Sequence, residues 1–219
     1  MKIATWNVER LKHKNAIREI QDVCNQVKAD ILVLTETGQR LHPDYQFHFE
    51  TLPMAELQPD LYHPTETRVA IYTNYPCVRM HSTYDRTTAL CAELATERGH
   101  LLVYGTIIGV YGNRHPSFAL DLRDQMRDME RLSKLGDGLC FCGDYNCSFS
   151  DNYYFTNAGR NEILAALKKN RLTLLTRNQP ECIDHIAIST DFLRGSCMEI
   201  EEWNHMKQLS DHKGIAVSF

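Results

Sequence analysis

Apolar residues at Ile3, Ala4, Trp6 and Val8 open the chain in a strand-like cluster. They return at Ile17, Ile20, Val23, Cys24 and Val27 with the spacing of one helix face. Asp30 then introduces ILVLTE, a short run rich in β-branched residues of the kind a buried strand shows. These three segments predict a β-α-β unit. A polar stretch rich in Pro and His runs from Leu41 to Thr67, after which strands follow one another over Arg68–Thr73, Cys77–Tyr84, Ala89–Ala95 and His100–Ile108. Asn74-Tyr75-Pro76, Asp85-Arg86 and Arg98-Gly99 supply the turns between them. This middle section reads as a meander.

Helical spacing resumes over Phe118–Leu135 through Ala119, Leu122, Met126, Met129 and Leu132, and Gly136-Asp137-Gly138 ends it. The strand LCFCGDYN comes next. A helix from about Gly159 to Asn170, with Ile163, Leu164 and Leu167 on one face, leads to Leu172–Leu175, the strand IDHIAIS and a final strand GIAVSF. Both halves repeat a strand-helix-strand theme with extra antiparallel strands. The expected fold is α/β, two mixed sheets packed face to face with helices outside. No linker, charge block or low-complexity segment divides it, so residues 1–219 are expected to form a single domain.

Composition narrows the class. Apolar residues make up 43% and charged residues 24%, ordinary globular usage that excludes disorder and coiled coil. No segment approaches the ~20 apolar residues of a membrane helix. The opening MKIATWNVER breaks its apolar run at Asn7 and Glu9, unlike a signal peptide, which makes a cytoplasmic location the expectation. A net charge of -4 gives no broad basic field, so a nucleic acid would have to be held by a local patch or a bound metal. The eight cysteines include no C-x-x-C pair, and reduced core thiols are favoured over disulfides or zinc.

Polar residues stand at strand ends, where open α/β sheets place their ligand sites. They are Asn7 after IATW, Glu36 after ILVLT, Asp144 and Asn146 after LCFCG, Asp184 before HIAIS, and Asp211-His212 before GIAVSF. Each alone reads as a turn cap or a solvated surface group. Taken together, carboxylates and amides from five strands converge on one rim, an arrangement suited to a hard divalent cation.

In order along the chain, the strings TWN (Thr5–Asn7), LTE (Leu34–Glu36), GDYN (Gly143–Asn146), IDHI (Ile183–Ile186) and SDH (Ser210–His212) resemble those of the endonuclease/exonuclease/phosphatase superfamily of metal-dependent phosphoesterases. The resemblance spans nearly the whole chain. It implies a four-layered α/β sandwich and hydrolysis of a phosphate ester with Mg²⁺ or Mn²⁺. By the same resemblance Glu36 is the principal metal ligand, with Asn7 beside it and Asp211 on the metal side. Asp144 positions or deprotonates the attacking water, Asn146 holds the phosphate, and His212 contacts the scissile phosphate with Asp184 as its carboxylate partner. These assignments suit in-line attack, which needs cationic charge on the non-bridging oxygens and a carboxylate near the nucleophilic water.

One departure stands out. Many relatives carry His or Tyr at the end of the strand matched by LLVYGTII, where this chain has Thr106 and Ile107. Thr106 itself and, in the following GNRHP loop, Arg114 and His115 are the candidate substrate-binding residues there. Solvent-facing loop positions are the favoured reading of the last two, which leaves leaving-group protonation to metal-bound water. Tyr153, Tyr154 and Phe155 follow GDYN and are candidates for stacking on a base, against the commoner fate of packing on the core.

The leading expectation is thus a Mg²⁺- or Mn²⁺-dependent phosphodiesterase acting on DNA or RNA, a monomer by default and without a membrane span. The alternatives are a small-molecule or lipid-headgroup phosphatase and, less favoured, a catalytically silent binding module. Fold analogy alone does not choose among substrates.

Overall fold

A computed structural model of the chain describes residues 1–193, 195 and 197–219. The first sheet is built from β1 (Lys2–Asn7), β2 (Ile31–Gly38), β3 (Phe47–Glu50), β4 (Glu66–Thr73), β11 (Glu199–Trp203) and β12 (Gly214–Ser218). Its strand order is β11-β12-β1-β2-β4-β3. The second contains β5 (Cys77–His81), β6 (Ala89–Thr96), β7 (Gly99–Ile107), β8 (Gly138–Asp144), β9 (Leu172–Leu174) and β10 (Asp184–Ser189), in the order β5-β6-β7-β8-β10-β9. Each sheet has one parallel pair, β1 with β2 and β7 with β8, within otherwise antiparallel neighbours.

Side chains alternate across the strands, and that alternation makes the layers. Ile3, Val33, Val69 and Ile71 of the first sheet face Val103, Cys140, Cys142 and Ile186 of the second, forming the core between them. On the outer face of the first sheet, Ala4, Trp6, Leu32 and Leu34 pack under Ile20, Cys24 and Val27 of α1 (Ile17–Val27). The outer face of the second, through Leu102, Tyr104, Phe141 and Ala187, receives Leu122, Met129 and Leu132 of α2 (Phe118–Leu132) and Ile163 and Leu167 of α3 (Asn157–Lys169). A short α4 (Thr190–Leu193) follows β10. The result is the expected four-layered α/β sandwich. With both faces covered, β2 and β8 are buried almost throughout, which is why their sequences read as continuous apolar runs.

Boundaries moved slightly. α3 starts at Asn157, before Gly159, because the Thr156 side chain caps it by accepting the Gly159 N–H at 3.1 Å. Two strands went unread, β3 inside the polar stretch and β11 at the opposite edge. All eight cysteines are unpaired, and burial pushes the Cys24 thiol up to about 12. Among the described residues no helix is long and apolar enough to cross a membrane.

Candidate active site

Strand register assembles the site. In β8 and β10, Asp144 pairs with Asp184 directly across the ladder, while Asn7 at the end of β1 pairs with Thr35, one residue before Glu36. The two sheets meet at these ends: the Asn7 backbone N–H donates to Asp184 Oδ1 at 3.0 Å, and Asn7 Nδ2 donates to Asp144 Oδ2 at 3.1 Å. Within the second sheet, Gly143 lets β8 lie close against β7 just before Asp144. Its φ is +134°, and a Cβ there would lie 2.0 Å from the Thr106 carbonyl oxygen of neighbouring β7, so no side chain fits.

Glu36 and Asn146 both hold a left-handed backbone, each with φ of 48°. Asn tolerates that region through its short polar side chain, but Glu inside a strand does so rarely. The kink takes Glu36 out of strict strand alternation at the rim. Burial raises the Glu36 pKa, while the His212 charge and a hydrogen bond from Asn7 pull it back. No Lys or Arg forms an ion pair with it among the described residues.

His212 sits in the segment before β12 with Nδ1 2.6 Å from Asp184 Oδ2. Burial disfavours its charged form, yet the Asp184 carboxylate outweighs that cost and lifts the imidazole to about 10. Asp144 is pushed well above the usual carboxylate range by burial; the His212 charge opposes the rise and Asp184 adds to it. A carboxylate with its affinity for protons raised and a protonated imidazole thus share one rim, separate in role and joined through Asp184. Asp211 differs from its neighbours. Its side chain is 66% exposed, and its backbone N–H donates to Glu9 Oε2 at 3.2 Å.

Asn146 faces inward with its amide: Nδ2 donates to the carbonyls of Ile108 at 3.1 Å and Gly109 at 3.2 Å, and its backbone N–H donates to Asp144 Oδ1 at 2.8 Å. In this arrangement it locks the turn after β8 and orients Asp144. Three further residues escaped sequence reading. Asn113 Nδ2 donates to the Asn146 carbonyl at 2.7 Å, and Ser210 Oγ donates to the Asn7 carbonyl at 2.6 Å while accepting the His212 N–H. His185 is fully buried between Thr176 Oγ1 at 2.8 Å and the Cys147 carbonyl at 3.0 Å. Ser210 lies within the SDH string and His185 within IDHI, where the resemblance assigns neither a role, and Asn113 in the GNRHP loop carries no signal of its own.

Of the three candidates on the β7 side, Thr106 is not brought to the rim. Thr106 is fully buried beneath α2 and donates to Gln125 Oε1 at 2.7 Å, because its position in β7 alternates toward the helix layer. Arg114 and His115 lie exposed on the loop, with His115 Nδ1 2.7 Å from Ser117 Oγ. The placement corrects the expectation that Thr106 lines the site.

The oxygen donors at hand are the Glu36 carboxylate and the Asn7 amide oxygen, with Asp211 at the solvent side. Among the described residues no three His, Cys, Asp or Glu groups converge as a closed metal cage. Such a sparse, oxygen-only set fits Mg²⁺, which keeps several waters and takes one or two carboxylates plus substrate oxygens. The rim opens into a cleft of about 400 Å³ lined by Asn146, Tyr153, Tyr154, Asp184, Lys207 and His212, among others.

The family model for the Endonuclease/Exonuclease/phosphatase family matches residues 4–212, from β1 through His212. The chain belongs to this family. Among solved structures, the 3′ phosphatase NExo from Neisseria bound to a product DNA hairpin is 19% identical with a TM-score of 0.70, over 100% of this chain and 99% of that one. An AP endonuclease from Archaeoglobus fulgidus is 15% identical with a TM-score of 0.73, again over 100% and 99%. Beta toxin from Staphylococcus aureus with bound magnesium ions is 15% identical with a TM-score of 0.65, over 99% and 98%. At these identities the likeness is one of fold. No curated protein matches the sequence significantly.

Proposed function

We propose that this member of the Endonuclease/Exonuclease/phosphatase family is a divalent-cation-dependent phosphodiesterase acting on nucleic acid, with Asp144, Asn146, Asp184 and His212 as its catalytic group. The observation that carries the proposal is the Asp184-held His212 beside Asp144, with Glu36 at the same rim and in no ion pair with Lys or Arg among the described residues. Asp144 would orient the attacking water and accept its proton, a task served by a carboxylate whose pKa lies toward neutrality. His212, charged across the neutral range, would donate from Nε2 to a non-bridging phosphate oxygen as negative charge grows there. Asp184 would hold the imidazole with Nδ1 as donor, and Asn146 would keep Asp144 aimed. Glu36 and Asn7 would hold Mg²⁺ or Mn²⁺, which when bound neutralises charge on the phosphate oxygens.

A hydrolysis panel with Mg²⁺ and Mn²⁺ tests the reading: plasmid, abasic duplex, single-stranded RNA, bis-nitrophenyl phosphate and an inositol phosphate. Polymer cleavage is the expected result. Turnover of the inositol phosphate alone would assign the chain to small-molecule or headgroup chemistry, and inactivity on all five would leave a binding module.

A further inference from the structure

The aromatic run after β8 divides between core and cleft. Phe155 packs toward the helix layer with the Arg160 guanidinium 3.7 Å from its ring centroid, whereas Tyr153 remains 45% exposed and, with Tyr154, forms a wall of the cleft that His212 enters. The loop carrying them is tied down at several points. Arg160 Nε donates to the Ser148 carbonyl at 2.9 Å, the Ser148 N–H to the Tyr154 carbonyl at 2.6 Å, and the Tyr153 N–H to Asp151 Oδ1 at 3.0 Å. Asp151 Oδ2 also accepts the Glu181 N–H at 2.6 Å, which joins the loop to the segment before β10. An exposed aromatic ring on a loop this firmly held has lost its freedom before any ligand arrives.

Across the cleft, Lys207 comes from the segment between β11 and β12 and donates from Nζ to Tyr153 Oη at 2.6 Å. Its charge differs from that of the other cleft lysine. Lys213 is paired with Glu202 at 3.1 Å, while Lys207 makes no ion pair with a carboxylate among the described residues. An ammonium without a carboxylate partner therefore lies over one face of the Tyr153 ring, 4.5 Å from its centroid, while the ring stays 45% exposed in the same cleft as His212. In a chain of net charge -4 this local pairing supplies what a broad basic field does not.

We infer that Tyr153 and Lys207 form a nucleotide subsite beside the reacting phosphate, Tyr153 stacking on an unpaired nucleobase and Lys207 meeting the phosphate attached to it. The inference rests on the phosphodiesterase reading and names the substrate class of that same cleft. Stacking on an aromatic face is tolerant of base identity, so the subsite selects a nucleotide over a bare sugar phosphate without reading sequence.

Titration calorimetry of the full chain in EDTA buffer, with adenosine 5′-monophosphate against ribose 5-phosphate, tests it apart from turnover. The wild-type chain is expected to prefer the nucleotide, and Tyr153→Ala to erase a preference of about tenfold to a hundredfold. Tyr153→Phe, which loses the bond to Lys207 but keeps the ring, retains the preference, while Tyr153→Leu, similar in bulk without an aromatic face, loses it. Lys207→Ala weakens both ligands alike. Equal binding of the two ligands by the wild type, binding of neither, or a preference that survives in both Tyr153→Ala and Tyr153→Leu would overturn the subsite. Wild-type hydrolysis of methyl 4-nitrophenyl phosphate with Mg²⁺ or Mn²⁺ reports the phosphodiesterase reading separately, since that ester has no base to stack.

Discussion

His212 and Asp184 meet at 2.6 Å between Nδ1 and Oδ2, and the other oxygen of the same carboxylate accepts the Asn7 backbone N–H at 3.0 Å. One buried Asp thereby fixes an imidazole from the segment before β12 and the end of β1 on a strand of the opposite sheet. The bond does electrostatic work as well as positional work, because it reverses the effect of burial and keeps His212 protonated up to about pH 10.

Asp184→Asn should therefore change both rate and pH profile. With the amide in place the imidazole loses its counter-charge, and burial then lowers its pKa. Turnover is expected to fall by ~10²-fold or more, with the alkaline limb moving to lower pH. His212→Ala should abolish that limb and cost ~10²–10⁴-fold, as should Asp144→Asn. A folded-state pKa raised above 6.5 stabilises the fold fully below that value and ceases to do so as pH rises through about 10, so Asp184→Asn should also lose stability on the acid side of that window. An unshifted alkaline limb in Asp184→Asn would remove His212 from the proposed role.

The layers and the rim were readable from sequence where burial writes a strong pattern. ILVLTE and LCFCGDYN are central strands covered on both faces, and their polar ends mark the rim. β3 and β11 were not readable. FHFE and EIEEW are edge strands in which no residue is fully buried, so they carry little apolar periodicity and blend into polar surroundings. At the site, residue types were visible but directions were not. The left-handed φ of Glu36, the inward turn of the Asn146 amide and the burial of Thr106 under α2 depend on contacts between segments distant in sequence. Ser210 and Asn113 are hydroxyl and amide supports whose partners are backbone carbonyls, and such partners leave no mark in a motif.

Glu36 is a half-buried carboxylate in no ion pair with Lys or Arg among the described residues, and burial outweighs the pull of the His212 charge, so in the absence of a divalent ion its ionised form costs stability at neutral pH. Glu36→Gln should raise the thermal midpoint in EDTA while weakening Mg²⁺ binding by calorimetry at least tenfold. Addition of Mg²⁺ should stabilise the wild type by mass action and leave the variant nearly unmoved. Equal Mg²⁺ stabilisation of both proteins would place the cation elsewhere.

His185 gives a stability signature separate from the reaction. Burial holds its imidazole down to about 4, against an ordinary value near 6.5, so the folded chain keeps it neutral between Thr176 and the Cys147 carbonyl. A depressed His pKa has the opposite sign to that of His212. Above about pH 6.5 it imposes no penalty, and between 6.5 and 4 the unfolded chain binds the extra proton and stability falls. Thermal midpoints measured from pH 7 to pH 4 should decline in the wild type, and the part due to this residue should vanish in His185→Gln. A slope unchanged by that substitution would show that other groups carry the acid sensitivity.

The end of β7 is where the sequence departs from the pattern it otherwise resembles. Thr106 is committed to Gln125 under α2, and His115 is turned to Ser117 on an exposed loop with the Tyr111 ring 5.0 Å away. Neither arrangement presents a proton to a leaving group in the cleft. Thr106→Val should lower stability by about 1 kcal/mol through the lost hydrogen bond, with the Gln125 oxygen left to find another donor, and should leave turnover nearly unchanged. His115→Ala should be silent in both respects, and the turnover profile should show no limb from a second imidazole. The discriminating measurement is rate against leaving group. If His115 were the acid, its removal would cost ~10²-fold on a poor alkoxide leaving group and little on nitrophenolate, which departs without protonation. A defect with that dependence would mean the loop closes onto the substrate and that His115 belongs to the catalytic set.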